Sequence, residues 1–302
     1  MNPLPVATVP CGSCDWKLKD KPFMYQRIDI DDYIRTGEGA TAVAYTHKTE
    51  PRLAKLYNKG FEADEALRDF RTARIVFDMG IPSPEPYRLV TDGDRLGAEY
   101  ELIPGKKSFS RLIADDPSLM RPLSLRFAQL SRDLHGMKAD TAALPSFREM
   151  IRAFYRNEPS VPDYLRDKVF AFLDTVPDTP TCLHGDLQTG NLITDGKREL
   201  WIDLGLFSYG VPEWDVAQLW IFTNRLDEER QKALFHLDRT QMLEHWDIFV
   251  KAYYGIDTAA QIDALVKRLV PYAVVRIPFM LYMAYRTPVS AGLAKYIIDM
   301  IR

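Results

Sequence analysis

Cysteine is scarce in this chain: Cys11, Cys14 and Cys182 are the only three among 302 residues. So few thiols exclude a scaffold built on disulfides. Cys11 and Cys14 form a lone C-x-x-C pair, with neither a second pair nor histidines at ligand spacing nearby, so incidental reduced thiols fit better than a zinc site. Long apolar runs are missing too, and none reaches the roughly 18 residues that a membrane helix needs. The opening Met1-Asn2-Pro3-Leu4-Pro5 has neither the basic flank nor the apolar stretch of a secretory signal peptide. No basic patch or stripe stands out either, the net charge of −3 being spread over both signs. A nucleic-acid binder normally shows one. These absences lead us to expect a cytoplasmic protein with neither a nucleic-acid nor a membrane partner.

What is present is the composition of an ordinary globular protein, with 46% hydrophobic and 27% charged residues. At this length two lobes, or one large α/β unit, are expected. Residues 1–23 read as an irregular leader. From Tyr25 to about Leu56, short β-branched and apolar stretches broken by Gly37 and Gly39 predict antiparallel strands around a glycine-rich turn. Leu67, Phe70, Ala73 and Phe77 recur at helical spacing, which predicts an amphipathic helix over 61–79, stopped at Gly80. Strands follow at Tyr87–Val90 and Leu96–Ile103 across the hairpin-type turn Asp92-Gly93-Asp94. After residue 110 the pattern turns helical, over 121–138 and 147–175, with a short β-like passage at Thr181–Ile202. Beyond Pro212 it is mostly amphipathic helix. The fold class expected is α+β and bilobal: a β-rich N-lobe over 24–103 and a larger, mostly helical C-lobe over 104–302.

The chemistry concentrates in His184-Gly185-Asp186-Leu187-Gln188-Thr189-Gly190-Asn191 and, twelve residues after Asn191, in Asp203-Leu204-Gly205. Two carboxylates and an amide at the ends of extended segments are hard oxygen donors of the kind Mg²⁺ takes. The carboxylate left over is free to accept a proton from an attacking hydroxyl. On spacing alone, turn-stabilising Asp and Asn residues remain the lesser alternative. The residue identities go further. The two strings resemble the catalytic loop and metal motif of the aminoglycoside phosphotransferase and choline kinase superfamily, H-G-D-x-x-x-x-N followed by D-x-G. Protein kinases carry the related H-R-D-x-x-x-x-N and D-F-G.

That resemblance implies a kinase-like fold and a Mg²⁺-dependent transfer of the ATP γ-phosphate, GTP being possible, to a hydroxyl of a small-molecule acceptor. It makes Asp186 the base and Asn191 and Asp203 the Mg²⁺ ligands, with His184 and Gly185 shaping the loop. Upstream, Gly37-Glu38-Gly39-Ala40-Thr41-Ala42 resembles the phosphate-covering glycine loop, with Ala42 in place of the third glycine. Lys55 resembles the strand lysine on the α- and β-phosphates, although a lysine between apolar residues also suits a solvated edge strand. Its expected acidic partner is Asp69, with Glu65 one turn earlier as the alternative. Tyr100-Glu101-Leu102-Ile103-Pro104-Gly105 resembles the interlobe hinge, where backbone groups of Glu101 and Ile103 would meet the nucleotide base. Leu130–His135 resembles the helix packed beneath the catalytic loop. Asp215, in Pro212-Glu213-Trp214-Asp215-Val216-Ala217, resembles the aspartate that supports that loop by hydrogen bonds. The resemblance covers roughly residues 30–220.

Two other readings remain. A protein kinase would need an activation segment, for which the few residues between Gly205 and Pro212 leave little room, and a lysine where Gln188 stands. A catalytically idle nucleotide-binding regulator would usually have lost the base or the metal aspartate. The acceptor has no motif: Trp214, Trp220, Trp246, Tyr253 and Tyr254 suit a cation or sugar site or simply the core.

Overall fold

A computed structural model describes residues 25–38, 42–58 and 63–301. Gly39, Cys11 and Cys14 lie outside these residues. The first part of the chain forms β1 (Gln26–Arg27), β2 (Tyr33–Glu38), β3 (Ala42–His47), β4 (Arg52–Tyr57), α1 (Ala63–Asp78), β5 (Pro86–Thr91) and β6 (Leu96–Glu101). The strands make one six-stranded sheet, ordered β1-β5-β6-β4-β3-β2 and antiparallel except for the β1–β5 edge pair. Strand β4 is central, its Lys55 opposite Ala44 on β3 and Ala98 on β6. Ala54 and Leu56 on either side of Lys55 are fully buried, so the lysine's backbone is set by packing on both flanks. This is not an edge strand. Helix α1 buries Ala66, Phe70, Ala73 and Val76, a stripe one residue off the Leu67/Phe77 pattern. It packs on β5 and β6 and on the turn that follows Asp203.

The second part contains β7 (Lys107–Ser108), α2 (Phe109–Asp115), α3 (Met120–Gly136), α4 (Phe147–Asn157), α5 (Asp163–Thr175), β8 (Cys182–Leu183), β9 (Leu192–Thr194), β10 (Glu199–Trp201) and β11 (Ser208–Tyr209). Helices α6 (Glu213–Asn224), α7 (Glu228–Phe235), α8 (Arg239–Tyr254), α9 (Ala259–Tyr285) and α10 (Ala291–Met300) complete it. A β-rich sheet followed by a larger helical part is the α+β architecture expected. The strand pairs β9–β10 and β8–β11 flank the loops that carry Asp186 and Asp203.

Two local readings are corrected. The helix expected over 147–175 is two helices, because Pro159 and Pro162 lack the amide hydrogens a continuous helix requires. Helix α6 is not amphipathic: every residue from Trp214 to Thr223 is buried, and both α8 and α9 pack on it. The tryptophans Trp214, Trp220 and Trp246 are buried in the core. No helix among the described residues is long and apolar enough to cross a membrane.

Candidate active site

The turn from β8 into the 184–191 loop is held from below by one buried carboxylate. Asp215, at the start of α6 and fully buried, accepts hydrogen bonds from the His184 amide at 2.7 Å, the Gly185 amide at 2.9 Å and His135 Nε2 at 3.1 Å. Burial disfavours its charge, but the hydrogen bond from His135 and the Arg276 guanidinium behind it outweigh that and hold its pKa below the usual carboxylate value. His135 is fixed in turn by Tyr253, whose hydroxyl lies 2.6 Å from Nδ1.

His184 is occupied on both ring nitrogens. Nε2 donates to the Ile202 carbonyl at 3.0 Å, and Nδ1 accepts the Asp186 amide at 3.2 Å. That pattern describes a neutral ring tying the 184–191 loop to the strand before Asp203, and burial lowers the ring's pKa accordingly. Gly185 has φ +77°, and a Cβ there would stand 1.9 Å from the Leu206 carbonyl oxygen. Only glycine permits that approach.

Above this base the Asp186 carboxylate is held by three amides. Oδ2 accepts from Asn191 Nδ2 at 2.8 Å and Gln188 Nε2 at 3.1 Å, and Oδ1 accepts from Gln218 Nε2. Asn191 Nδ2 also donates to the Asp186 carbonyl at 2.9 Å, which fixes the amide and leaves its oxygen facing away. The Ile202 amide donates to the Asn191 carbonyl at 2.9 Å, so Asp203 is registered on the same loop. Asp203 adopts a left-handed conformation, φ 60° and ψ 53°, uncommon outside glycine and best tolerated by Asp and Asn.

Asp203 Oδ1 meets Lys55 Nζ at 2.7 Å. The lysine is the main cause of Asp203's pKa lying below the ordinary value. Burial works against the charge on Lys55, and the carboxylates of Asp203 and Asp69 overcome it, so its pKa is raised. Asp69 accepts from the Tyr57 hydroxyl at 2.9 Å. It also presses on the turn after Asp203, where a Cβ on Gly205 would come within 2.6 Å of Asp69 Oδ1. The alternative partner, Glu65, points instead to Arg286 at 3.4 Å. Asp69 is therefore the acidic residue of α1 that neighbours Lys55, while the direct ion pair is with Asp203.

The remaining expected residues are placed as follows. Gly37 lies in β2 opposite Ala44, beside a register shift. Glu101 directs its carboxylate to Arg198 at 2.9 Å, and its amide donates to the Glu85 carbonyl. The Ile103 amide has no acceptor among the described residues. No cluster of three or more His, Cys, Asp or Glu suited to a metal occurs among them either. The donor set nonetheless fits Mg²⁺, which uses one or two carboxylates and completes its shell with water and phosphate. The Asn191 amide oxygen is turned away from Asp186, and the Asp203 side chain keeps 56% of its surface open.

Two contributors escaped the sequence reading. Arg276, fully buried in α9, donates to the Trp214 carbonyl at 3.1 Å, to the Gly185 carbonyl and to Gln218 Oε1, and lies 4.5 Å over the Phe147 ring. Burial lowers its pKa to about 10, against the charges of Asp215 and Asp186. The available signal was a lone arginine in the apolar run Val270–Phe279, since arginine is rarely buried without partners. Gln218, one turn after Asp215, carried no signal.

Comparison with known proteins agrees with this arrangement. The family model described as "Phosphotransferase enzyme family" matches residues 33–248. The chain belongs to that family. Among solved structures it is similar to a choline/ethanolamine kinase family protein from Mesorhizobium loti, at 16% identity and TM-score 0.50, covering 89% of this chain and 86% of that one. It is also similar to an aminoglycoside phosphotransferase APH(4)-Ia in ternary complex with ADP and hygromycin B, at 13% identity and TM-score 0.56, over 89% and 92%. A Plasmodium vivax ethanolamine kinase gives 18% identity and TM-score 0.55, over 89% and 80%. A search of curated proteins finds no match. At such identities the likeness establishes the shared kinase-like fold. Family and fold together support small-molecule phosphotransferase activity for this phosphotransferase-family chain.

Proposed function

We propose that the protein transfers the γ-phosphoryl group of ATP, or GTP, to a hydroxyl of a small molecule, with Mg²⁺ and with Asp186 as the base. The observation that carries this reading is the linked group of Asp186, Asn191, Asp203 and Lys55, joined by the 2.8 Å Asn191–Asp186 bond and the 2.7 Å Lys55–Asp203 pair. Asp186 takes the proton of the acceptor hydroxyl as its oxygen bonds to the γ-phosphorus. The bond to the β–γ bridging oxygen breaks, and the nucleoside diphosphate leaves. Asn191 Oδ1 and Asp203 would hold the ion; Mg²⁺, when bound, neutralises charge on the phosphate oxygens.

Lys55 would hold the α- and β-phosphates, with Asp69 keeping it charged and placed, and Gly37 and Gly39 would cover the phosphates. The Ile103 amide and the Glu101 backbone would meet the base, since the Glu101 side chain is engaged elsewhere. Catalysis of this kind rests on positioning and charge stabilisation more than on a nucleophilic residue.

The test is a phosphorylation screen of purified protein with Mg·ATP and Mg·GTP over a hydroxyl library that includes hygromycin B, ethanolamine and choline. One acceptor class should turn over, and Asp186→Asn should lose at least ~10³-fold in kcat with the fold retained. Near-wild-type turnover by Asp186→Asn would overturn the base assignment. Tight Mg·ATP binding with no turnover across the library would favour an idle regulator.

A further inference from the structure

Asp186 belongs to the 184–191 loop, yet one of its two carboxylate oxygens is held from outside it. Gln218 Nε2, on α6, donates to Asp186 Oδ1, whereas Oδ2 is served by Gln188 and Asn191 of the loop itself. Gln218 is 2% exposed, so water cannot replace it readily. An amide can present either its oxygen or its NH₂ to a carboxylate, and only the NH₂ end is attractive. Arg276 decides which. Its guanidinium has donors only, and Nη2 points at Gln218 Oε1, so the amide oxygen must face Arg276 and the NH₂ must face Asp186. The same Nη2 donates to the Gly185 carbonyl, one residue before Asp186, and Nη1 to the Trp214 carbonyl, at the start of the helix that carries Gln218. One buried cation from α9 thereby locks the loop, the helix and the amide together.

We infer that Gln218 is a positioning residue for Asp186, with its amide oriented by Arg276, so that the carboxylate points at the acceptor hydroxyl. This rests on the reading of Asp186 as the base. Gln218 touches no reacting atom; it holds the residue that does. Oδ2 is shared between two donors, which leaves Oδ1, with Gln218 as its single donor among the described residues, as the oxygen whose direction Gln218 sets.

The decisive variant is Gln218→Glu. It keeps the size and the bond to Arg276 but puts a carboxylate oxygen where the NH₂ faced Asp186, so Asp186 is pushed out of line. Turnover of Mg·ATP with water as acceptor, the dissociation constant of Mg·ATP and the melting temperature are measured on the full chain. The expected result is a fall in kcat of tenfold or more, with Mg·ATP affinity within twofold and melting little changed. Gln218→Asn, which retains a donor one methylene short, should recover part of the rate. The inference is overturned if all three quantities stay at wild-type values, or if rate, affinity and melting temperature fall together, as general structural damage would produce.

A crystal structure of the Gln218→Glu protein reads the same point without turnover: Asp186 displaced supports the inference, Asp186 unmoved removes it. The outcome is separable from that of the base assignment. If Asp186→Asn stays active, the base assignment fails. If Asp186→Asn is dead while Gln218→Glu is fully active, only the role of Gln218 fails.

Discussion

Lys55 Nζ and Asp203 Oδ1 lie 2.7 Å apart, although 148 residues separate them in the chain. One sits on the central strand of the sheet, the other on the turn after β10, so this pair joins the two parts of the molecule across the site. It is partly open to solvent, at 28% and 56% side-chain exposure.

That exposure sets the first prediction. An ion pair in reach of water contributes only ~0–1 kcal/mol to stability. Lys55→Met and Asp203→Asn should therefore melt within a few degrees of wild type, yet each should weaken Mg²⁺-dependent ATP binding or kcat by ~10²-fold or more. Calorimetric titration of Mg·ATP alongside thermal melting checks both halves. A large loss of stability with intact nucleotide binding would show the pair to be purely structural.

Asp215 should behave in the opposite way. Asp215→Ala leaves the His184 and Gly185 amides and His135 Nε2 without their acceptor in a buried site, a loss of about 3–5 kcal/mol. Urea denaturation at neutral pH measures it. The sign of the pH dependence follows from the depressed pKa of Asp215 in the folded state. Its contribution is full above the unfolded value of about 3.9 and is lost as pH falls through the folded value. Asp215→Asn should flatten the stability curve in that acidic window.

His245 supplies a second pH effect, remote from the chemistry. It is buried, with Nδ1 2.8 Å from Ser124 Oγ and Nε2 without a partner among the described residues, and burial lowers its pKa to about 4. Between the unfolded value near 6.5 and that folded value the unfolded chain binds the extra proton, so stability falls on acidification across this range. The full drop is roughly 3 kcal/mol. His245→Gln should remove this slope, and unfolding free energies at pH 7, 6 and 5 test it. An unchanged slope in the variant would assign the acid sensitivity to other groups.

Much of the fold was legible because strands, hairpins and helices have local periods. The stretch Leu53–Tyr57 reads as a strand, and the stop of α1 at Gly80 is written in one residue. The break between α4 and α5 was equally local, at Pro159 and Pro162, but the surrounding helical pattern masked it. Helix α6 was misread because burial on every side depends on α8 and α9, and no local period reports what two distant helices will cover.

The sequence by itself determined which donors are available: Asp186, Asn191 and Asp203 at spacings that suit a hard cation, Lys55 after a glycine-rich turn, and Asp215 at the start of α6. Residue type and short-range order carry that information. Only the tertiary structure decided who holds whom. It turned Asp69 rather than Glu65 towards Lys55, paired Lys55 with Asp203, and brought Arg276, 91 residues beyond Gly185, onto the carbonyl of that glycine. Those contacts depend on how separately folded elements pack. A buried arginine finds its acceptors only when the loop, α6 and α9 have closed around it, which no spacing along the chain records.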